Sequence, residues 1–283
     1  MTAADAADGS GCDSSSDGVL VTSAWLQRTP SSSAATVPVG DLWRTRGGLR
    51  RLWTSPLTWR EICHAPRVRI GTWNLAGRWS TDHLDFVLRL DCDVLLLTEV
   101  SERLTVPDHH LHLGEQPMMP KRRWAALLSR EPITPLPDPH PASALGRIGT
   151  SAYCSSVLPW RSCGTRQPWS DGSHADRTAR TVERLRTNLP STNLIWGGDW
   201  NHALECREYA GSQGGRQHIA ELVADLDLQV PTSQLPHRID GLLSIDHLAV
   251  PDSAAVSEAR RVSALTGGGQ LSDHDAYVVV ADL

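Results

Sequence analysis

Apolar runs separated by polar turns predict a sheet-rich domain that begins near residue 67. Val68 to Trp73 alternates apolar and polar side chains, as a half-buried strand does. Further apolar runs predict strands at 93–97, 124–128, 149–158, 193–196 and 277–280, and a pair of strands around Gly241 within 239–250.

Apolar residues three and four positions apart predict helices at 82–90, 174–189 and 217–226. Thr81 or Asp82 is expected to cap the first helix. His174, which opens the second helix, is expected to be a cap or a surface residue. Because several strands follow one another without an intervening helix, the pattern favours a mixed α/β (α+β) sandwich over a strictly parallel sheet.

The first 66 residues differ in composition from the domain at 67–283. Residues 1–40 are rich in Ala, Ser, Asp and Gly and are expected to be disordered. Residues 41–66 are rich in arginine and tryptophan, and we interpret them as an arm that packs on the domain. The alternative interpretation is that this arm contacts phosphate.

Charge and cysteine usage exclude some classes of protein. A net charge of −5 opposes a protein that coats nucleic acid by bulk electrostatics, although an enzyme with a local basic rim remains possible. The six cysteines form no C-x-x-C pair, which opposes a zinc ribbon. The chain shows neither a secretory signal nor an apolar run of about 18 residues that could span a membrane. We therefore expect a cytoplasmic protein without a transmembrane segment, presumed to be a monomer.

Oxygen and nitrogen ligands follow apolar runs at five places that lie far apart in the chain. These are Gly71-Thr72-Trp73-Asn74, Leu97-Thr98-Glu99, Gly198-Asp199-Trp200-Asn201, Ser244-Ile245-Asp246-His247 and Ser272-Asp273-His274. A polar group at a strand end points out of the core and into a shared crevice. Hard oxygen ligands suit Mg²⁺, so the conjunction predicts a metal-dependent phosphoesterase.

The residue types suggest a division of labour within this crevice. Glu99 can bind a divalent cation, although alone it is as often a surface glutamate. Asp199 and Asn201 are two positions apart and share one face of a strand, which places a carboxylate for water beside a carboxamide for phosphate. His274 needs a carboxylate to fix its tautomer, and Asp246 is the candidate. Each motif alone is weak, and the hypothesis rests on their conjunction.

In this order, the five motifs resemble the endonuclease/exonuclease/phosphatase superfamily over residues 67–283. The resemblance implies a four-layer α/β/β/α sandwich of the deoxyribonuclease-I-like kind. It implies Mg²⁺ or Mn²⁺ on Glu99, with Asn74 and Asp273 close by. It also implies that Asp199 activates water, that Asn74 and Asn201 contact phosphate, and that His274 backed by Asp246 steadies the phosphoryl oxygens.

One position departs from the pattern of that superfamily. Its members usually carry Thr-His-Leu at the end of the central strand, where this chain has Ser156-Val157-Leu158. Val157 cannot donate a hydrogen bond to phosphate, so either Arg147, Tyr153 or Ser156 substitutes or the activity is weakened. Two functions remain open. One is a hydrolase of phosphate esters, acting on DNA or RNA, a lipid head group or a small ester; the other is a non-catalytic binding module on the same fold.

Overall fold

The computed structural model describes residues 66–165, 167–205 and 210–283. The predicted disordered segment at 1–40 and all of the predicted arm except Pro66 lie outside the described residues. Both therefore remain predictions, and the domain from residue 67 is described here.

The first of two large sheets has seven strands within the described residues. Its order is β12-β15-β1-β2-β5-β3, with β4 paired to β5. The strands are β1 (Arg67–Asn74), β2 (Val94–Ser101), β3 (His110–Leu113), β4 (Pro117–Met119), β5 (Arg122–Ser129), β12 (Ala255–Val262) and β15 (Ala276–Asp282).

The second large sheet has six strands in the same part of the chain, in the order β10-β11-β9-β8-β7-β6. They are β6 (Thr134–Leu136), β7 (Ser143–Ile148), β8 (Ser151–Ser156), β9 (Leu194–Asp199), β10 (Leu228–Gln229) and β11 (Asp246–Pro251). A separate short hairpin consists of β13 (Leu265–Thr266) and β14 (Gly269–Gln270).

The helices of the described ranges are α1 (Thr81–Leu90), α2 (His174–Asn188) and α3 (Gln213–Asp225). Ser80, rather than Thr81 or Asp82, is the N-cap residue of α1. Ser173 caps α2 through a reciprocal capping box with Asp176. Among the described residues, no helix is both long enough and apolar enough to cross a bilayer.

Three apolar clusters separate the layers. Between the sheets, Ile70 and Leu96 of the first sheet belong to one cluster with Ile195 and Leu248 of the second. On the outer face of the first sheet, α1 buries Phe86, Val87 and Leu90. On the outer face of the second sheet, α2 buries Val182 and Leu185, and α3 buries Ile219 and Leu222. These contacts confirm the predicted α/β/β/α sandwich.

Strand direction brings the polar strand ends to one end of each sheet. β1 and β2 are parallel, so their carboxyl ends meet at the same edge. β8 and β9 are also parallel, and β11 begins beside the end of β9, where Asp246 is the partner of Asp199. The final strand β15 runs antiparallel to β1 and therefore starts at the edge where β1 ends. The fold thus builds one polar rim on each sheet.

Eight strands were not predicted, namely β3, β4, β6, β7, β10, β12, β13 and β14, and one strand of a predicted pair is absent from the described loop. β7 contains Gly146 and Arg147 in a short segment, and β12 is an edge strand rich in charged side chains, so neither shows a clear apolar pattern. Of the strand pair expected within 239–250, the second strand is present as β11. The residues before it form a loop of turns with a single bridge between Pro236 and Leu243, because Pro236 and Gly241 favour turns. The last helix begins at Gln213, four residues before the predicted start at 217.

Gly198 allows the close approach of β8 and β9 immediately before Asp199. Its φ is +125°, and a Cβ atom there would lie 2.2 Å from the carbonyl oxygen of Ser156. Gly149 also has a positive φ, of 57°, but no heavy atom would lie within 4 Å of its Cβ. A comparison of substitutions at Gly198 and Gly149 therefore separates the cost of backbone strain from the cost of steric collision.

We therefore expect Gly198→Ala to lower the free energy of unfolding by about 3 kcal/mol or more, because strain and collision add. The control Gly149→Ala is expected to cost about 1–2 kcal/mol from its positive φ alone. Urea unfolding of both variants measures the difference. Equal losses of stability would contradict a close backbone approach at Gly198.

Candidate active site

The strand ends bring five of the predicted site residues to one rim of the sandwich. Asn74 ends β1, and Glu99 lies within β2 next to Thr98, which pairs with Asn74. Asp199 ends β9, and Asp246 begins β11. His274 lies just before β15, and its Nε2 is 3.9 Å from Asp199 Oδ2. The rims of the two sheets therefore form one site.

His274 and Asp246 form a tight pair. His274 Nδ1 lies 2.7 Å from Asp246 Oδ2. Asp246 is held in turn by Ser244, whose Oγ accepts the Asp246 N–H at 3.0 Å and donates to the Asp246 carbonyl at 2.6 Å. Burial alone would lower the pKa of His274, but the carboxylates of Asp246 and Asp199 outweigh it and raise that pKa above its usual value. His274 is therefore kept as an imidazolium with Nε2–H free to donate.

Asp199 is buried and hydrogen-bonded through both carboxylate oxygens. Asn74 Nδ2 donates to Oδ2 at 3.0 Å, and the Asn201 N–H donates to Oδ1 at 3.0 Å. Burial raises the pKa of Asp199, and the nearby carboxylates of Asp246 and Glu99 raise it further, while the charge of His274 opposes them. This environment fixes the carboxylate in position and makes it a stronger base than an exposed aspartate.

Glu99 is linked to Asp199 through the side chain of Asn74. Burial raises the pKa of Glu99, and a hydrogen bond from Asn74 partly offsets that effect. Asn74 Oδ1 accepts the backbone N–H of Ala76 at 2.8 Å, which orients the amide. Glu99 has a φ of 50°, at an irregular point of β2. Asn74 therefore spans the space between the two carboxylates.

Asp273 is exposed and lies beside a serine that joins the first sheet to the His274 turn. Ser272 Oγ donates to the Asn74 carbonyl at 2.6 Å and accepts the His274 N–H at 3.2 Å. Trp73 Nε1 donates to the His274 carbonyl at 3.1 Å. No role was predicted for Ser272, Ser244 or Trp73, although all three lie within the predicted polar motifs.

Asn201 lies beside the end of β8. Its φ is 53°, and its Nδ2 donates to the carbonyl oxygen of Leu158 at 3.1 Å. The Leu158 N–H in turn donates to the carbonyl oxygen of Asp199 at 2.9 Å. Asn201 therefore lies near Asp199, but it follows the end of β9, so the two residues do not share one face of a strand as expected. Its amide is oriented by the backbone that follows β8.

The structure does not bring Arg147 to this rim, which corrects its expected part in binding phosphate. Arg147 pairs with Ala152, whereas Ser143 pairs with Ser156 at the site end of the same two strands. Because β7 and β8 are antiparallel, Arg147 lies about four residues, or roughly 13 Å, along β7 from that end.

The other two residues proposed to replace the missing histidine, Tyr153 and Ser156, also make contacts elsewhere in the structure. Tyr153 is buried in the cluster between the sheets. Ser156 Oγ is buried and bonds to Ser143 Oγ at 2.9 Å and to Trp196 Nε1 at 3.2 Å. Val157 itself packs in an apolar cluster with Trp124 and Trp169. An apolar wall therefore occupies the place of the usual histidine.

The donor set fits a hard divalent cation at Glu99 better than at the His274 pair. Ligand atoms of Asp199, Asp246 and His274 lie within 4.8 Å of one another. His274, however, is held as an imidazolium by Asp246 and Asp199, so both ring nitrogens carry protons and neither can bind a metal. Mg²⁺ prefers oxygen ligands, which Glu99 and the nearby Asn74 and Asp273 provide.

Three buried imidazoles support the turn that follows Asp199. His202 packs against His174, with ring centroids 4.7 Å apart, and His202 O lies 2.9 Å from His247 Nε2. Burial lowers the pKa values of His202 and His247 to about 4, and it also lowers the pKa of His174. His174 bonds to the Pro159 carbonyl at 2.7 Å, so it is a buried structural residue and neither the cap nor a surface residue.

Comparison with protein families confirms the resemblance seen in the sequence. Residues 71–274 match the model of the Endonuclease/Exonuclease/phosphatase family. No curated protein matched the chain.

Three solved structures share the fold. The endonuclease domain of TRAS1, a telomere-specific non-LTR retrotransposon, is 14% identical with a TM-score of 0.56, covering 77% of this chain and 99% of that one. The AP endonuclease LMAP from Leishmania major is 16% identical with a TM-score of 0.56, covering 77% and 88%. An endonuclease/exonuclease/phosphatase from Bacteroides vulgatus is 11% identical with a TM-score of 0.54, covering 77% and 99%. At these identities the similarity shows a common fold and leaves the activity to be argued from the site.

Removing the carboxylate behind His274 tests the imidazolium assignment. Asp246→Asn is expected to lower the pKa of His274 by about 1–3 units, because the closest negative charge is lost. An NMR titration of the His274 ring measures this change. Asp252→Asn, which removes an exposed carboxylate at the far end of β11, is the control and should leave the titration as in wild type. An unchanged His274 pKa in Asp246→Asn would contradict the pairing.

The buried histidines make stability fall in mild acid. Since the pKa of His202 is about 4 in the folded chain and 6.5 is its ordinary value, the unfolded chain binds the proton first as the pH falls. Stability is thus complete above pH 6.5 and is lost from 6.5 to 4, at about 1.4 kcal/mol per pH unit for each such group.

His202→Asn should remove one such contribution, since an amide can replace Nδ1 as the donor to the Trp200 carbonyl. Urea unfolding between pH 4 and 7 measures the slope, with exposed His110→Asn as the control. A slope in His202→Asn equal to that of wild type would show that His202 does not titrate in this way.

Proposed function

The chain belongs to the Endonuclease/Exonuclease/phosphatase family, and we propose that it is a divalent-metal-dependent hydrolase of phosphate esters, in which an activated water attacks phosphorus in line. The observation that carries the proposal is the His274–Asp246 pair, whose Nδ1 and Oδ2 are 2.7 Å apart, with Asp199 3.9 Å from the other ring nitrogen. A positively charged donor thereby stands beside a fixed base. Phosphate hydrolysis requires both groups.

Glu99, Asn74 and Asp273 would hold the Mg²⁺ or Mn²⁺ ion. When bound there, the ion would neutralise phosphate charge and stabilise the leaving oxygen. Glu99 suits this role because burial holds it away from competing water and because Asn74 orients it.

His274 acts on the phosphate itself in this proposal. Its Nε2–H donates to a non-bridging phosphoryl oxygen, where negative charge must be steadied in the transition state. Asp246 keeps the ring charged and fixes its orientation, since its Oδ2 accepts from Nδ1. The second donor to phosphate is Asn201, whose amide lies next to Asp199 at the end of β8.

Asp199 orients and deprotonates the attacking water. Burial and neighbouring carboxylates raise its pKa, which increases the proton affinity of the base. Hydrogen bonds from Asn74 and from the Asn201 backbone hold its two oxygens, so the carboxylate meets the water in a set position.

A binding module on the same fold is the second candidate function. It is favoured by one observation, the packing of Val157 among tryptophans where the family usually has a histidine. A module that had lost turnover would bind phosphate esters without hydrolysing them. A measurement of phosphate-ester turnover therefore distinguishes the two candidate functions.

Hydrolysis of bis(p-nitrophenyl) phosphate by the full chain tests the proposal. We expect turnover in Mg²⁺ or Mn²⁺ that a chelator abolishes. Asp199→Asn and His274→Gln should each lower kcat by about 10²–10⁴-fold, because each removes one group that acts in the transition state. Asp252→Asn is the control for loss of a carboxylate.

Wild-type rates in both site variants would refute the assignment of these residues. Absence of turnover in any divalent metal, with the metal still bound by calorimetry, would favour the binding module.

A further inference from the structure

A small basic cavity lies between α2 and the segment around Trp169, outside the active site. Its volume is about 110 Å³, and its lining includes His140, Trp169, Arg177, Arg180, Thr181 and Arg184. None of the residues that line it is acidic. It is therefore a basic pocket that opens to solvent, in which Arg177 is buried and Arg180 and Arg184 are exposed.

The arginines of this pocket form one face of α2. Arg177, Arg180 and Arg184 are three and four positions apart, so their side chains are neighbours on the helix surface. Like charges at this spacing repel each other and destabilise a helix. None of the three makes an ion pair within 4 Å of an acid among the described residues, whereas Arg186 of the same helix pairs with Glu183 and Asp225. Within this part of the chain, none of the three therefore has an acid in direct ion-pair contact, and Asp176 acts on Arg180 and Arg177 only through its charge.

The remaining polar groups of the pocket are donors. His140 Nδ1 accepts the Ala142 N–H at 3.0 Å, so the neutral ring carries its proton on Nε2. The ring stays neutral because burial and the charge of Arg184 lower the pKa of His140 to about 3. Trp169 Nε1 is buried and has no acceptor among the described residues.

The three guanidinium groups differ in how firmly they are held. Arg177 is buried, and its Nη1 and Nη2 donate to the carbonyl oxygens of Gly172 and Arg161, so it forms a fixed wall. Arg180 donates to the carbonyl of Asp171 and leaves its other donors free. Asp176, the acid whose charge Arg180 and Arg177 share, is occupied by the capping box of α2. Arg184 and Arg180 therefore supply the free positive charge.

The pocket is joined to the active site by a short run of contacts. Trp169 packs against Val157, and the carbonyl of the next residue, Leu158, accepts a hydrogen bond from Asn201. The first residue of α2, His174, bonds to Pro159. From Arg177 to Arg184 the helix rises about 10 Å, which equals the rise of about three nucleotides along one strand of a duplex.

We propose that this face of α2 is a second phosphate-binding site, and that it binds a distal phosphate of a nucleic-acid strand whose reacting phosphate lies in the active site. The inference rests on the proposed function and narrows its substrate class. A small ester or a single lipid head group carries no second phosphate that reaches both places. Two separate anion sites match a chain of phosphates.

Salt dependence of binding tests the site without requiring turnover. The probe is a fluorescein-labelled twelve-residue oligothymidylate, measured by anisotropy in chelator between 50 and 200 mM salt. Arg180→Gln/Arg184→Gln is expected to reduce the slope of log K against log salt by about 1.4, since each lost contact with a single strand removes about 0.7. Glutamine keeps the helix propensity close to that of arginine, so α2 should persist.

Two further variants give the controls. Arg67→Gln/Arg89→Gln changes the net charge equally at positions away from α2 and should keep the wild-type slope. Arg180→Lys/Arg184→Lys keeps both charges and should restore most of the slope that the glutamines remove.

The site is overturned if wild type does not bind the oligonucleotide at 50 mM salt, or if both Gln double variants lose slope equally. It is also overturned if the α2 variant weakens binding to phosphatidylglycerol vesicles while leaving DNA binding unchanged.

Turnover of bis(p-nitrophenyl) phosphate by wild type is read separately. A changed slope without turnover leaves the anion site standing while the hydrolase proposal fails. Turnover with an unchanged slope would support the hydrolase proposal and overturn the anion site.

Discussion

The hydrogen bond from Asn74 to Asp199 joins the two sheets at the end where the polar residues meet. Asn74 ends a strand of the first sheet and Asp199 ends a strand of the second, and the two side chains are 3.0 Å apart at Nδ2 and Oδ2. The sheets otherwise pack through apolar side chains, whose attraction has no preferred direction. A directional bond between buried groups therefore sets how the two rims face each other, and its loss would leave a buried carboxylate short of a donor.

The proton on His274 determines which groups can bind a metal. Four ionisable side chains crowd this rim, and burial makes several negative charges at once unfavourable. Asp246 offsets its own charge by holding His274 as an imidazolium, which removes that pair from the set of metal ligands. Glu99 is left as the carboxylate best suited to a cation, with Asn74 between it and Asp199. The electrostatics thus divide the rim into a metal side and a phosphate side.

Strand-end motifs could be predicted from the sequence because they sit at the junction of an apolar run and a polar turn. Asn74, Glu99, Asp199 and His274 all lie at such junctions, whereas the order of the four layers was implied by the family resemblance. Arg147 could not be placed, because β7 was not predicted and the register that carries Arg147 to the far end depends on pairing between strands. Pairing of this kind is a long-range property that local patterns do not encode.

The burial of individual side chains could not be predicted from the sequence either. His174 opens a helix in the sequence, and only the packing of His202 against it shows that it belongs to the interior. The arginine face of α2 was also not predicted to bind anything, because a charge run on a helix normally faces solvent and only the tertiary fold shows that it borders a pocket with Trp169 and His140. In both cases the missing information was the identity of the neighbour across the fold.

The division of the rim is tested most directly by calorimetric titration of Mn²⁺ into the full chain as wild type, Glu99→Gln and Asp246→Asn. We expect Glu99→Gln to abolish Mn²⁺ binding or weaken it by about 10-fold or more, and Asp246→Asn to retain it. Unchanged affinity in Glu99→Gln, with binding lost in Asp246→Asn, would place the cation on the His274 pair and contradict the account.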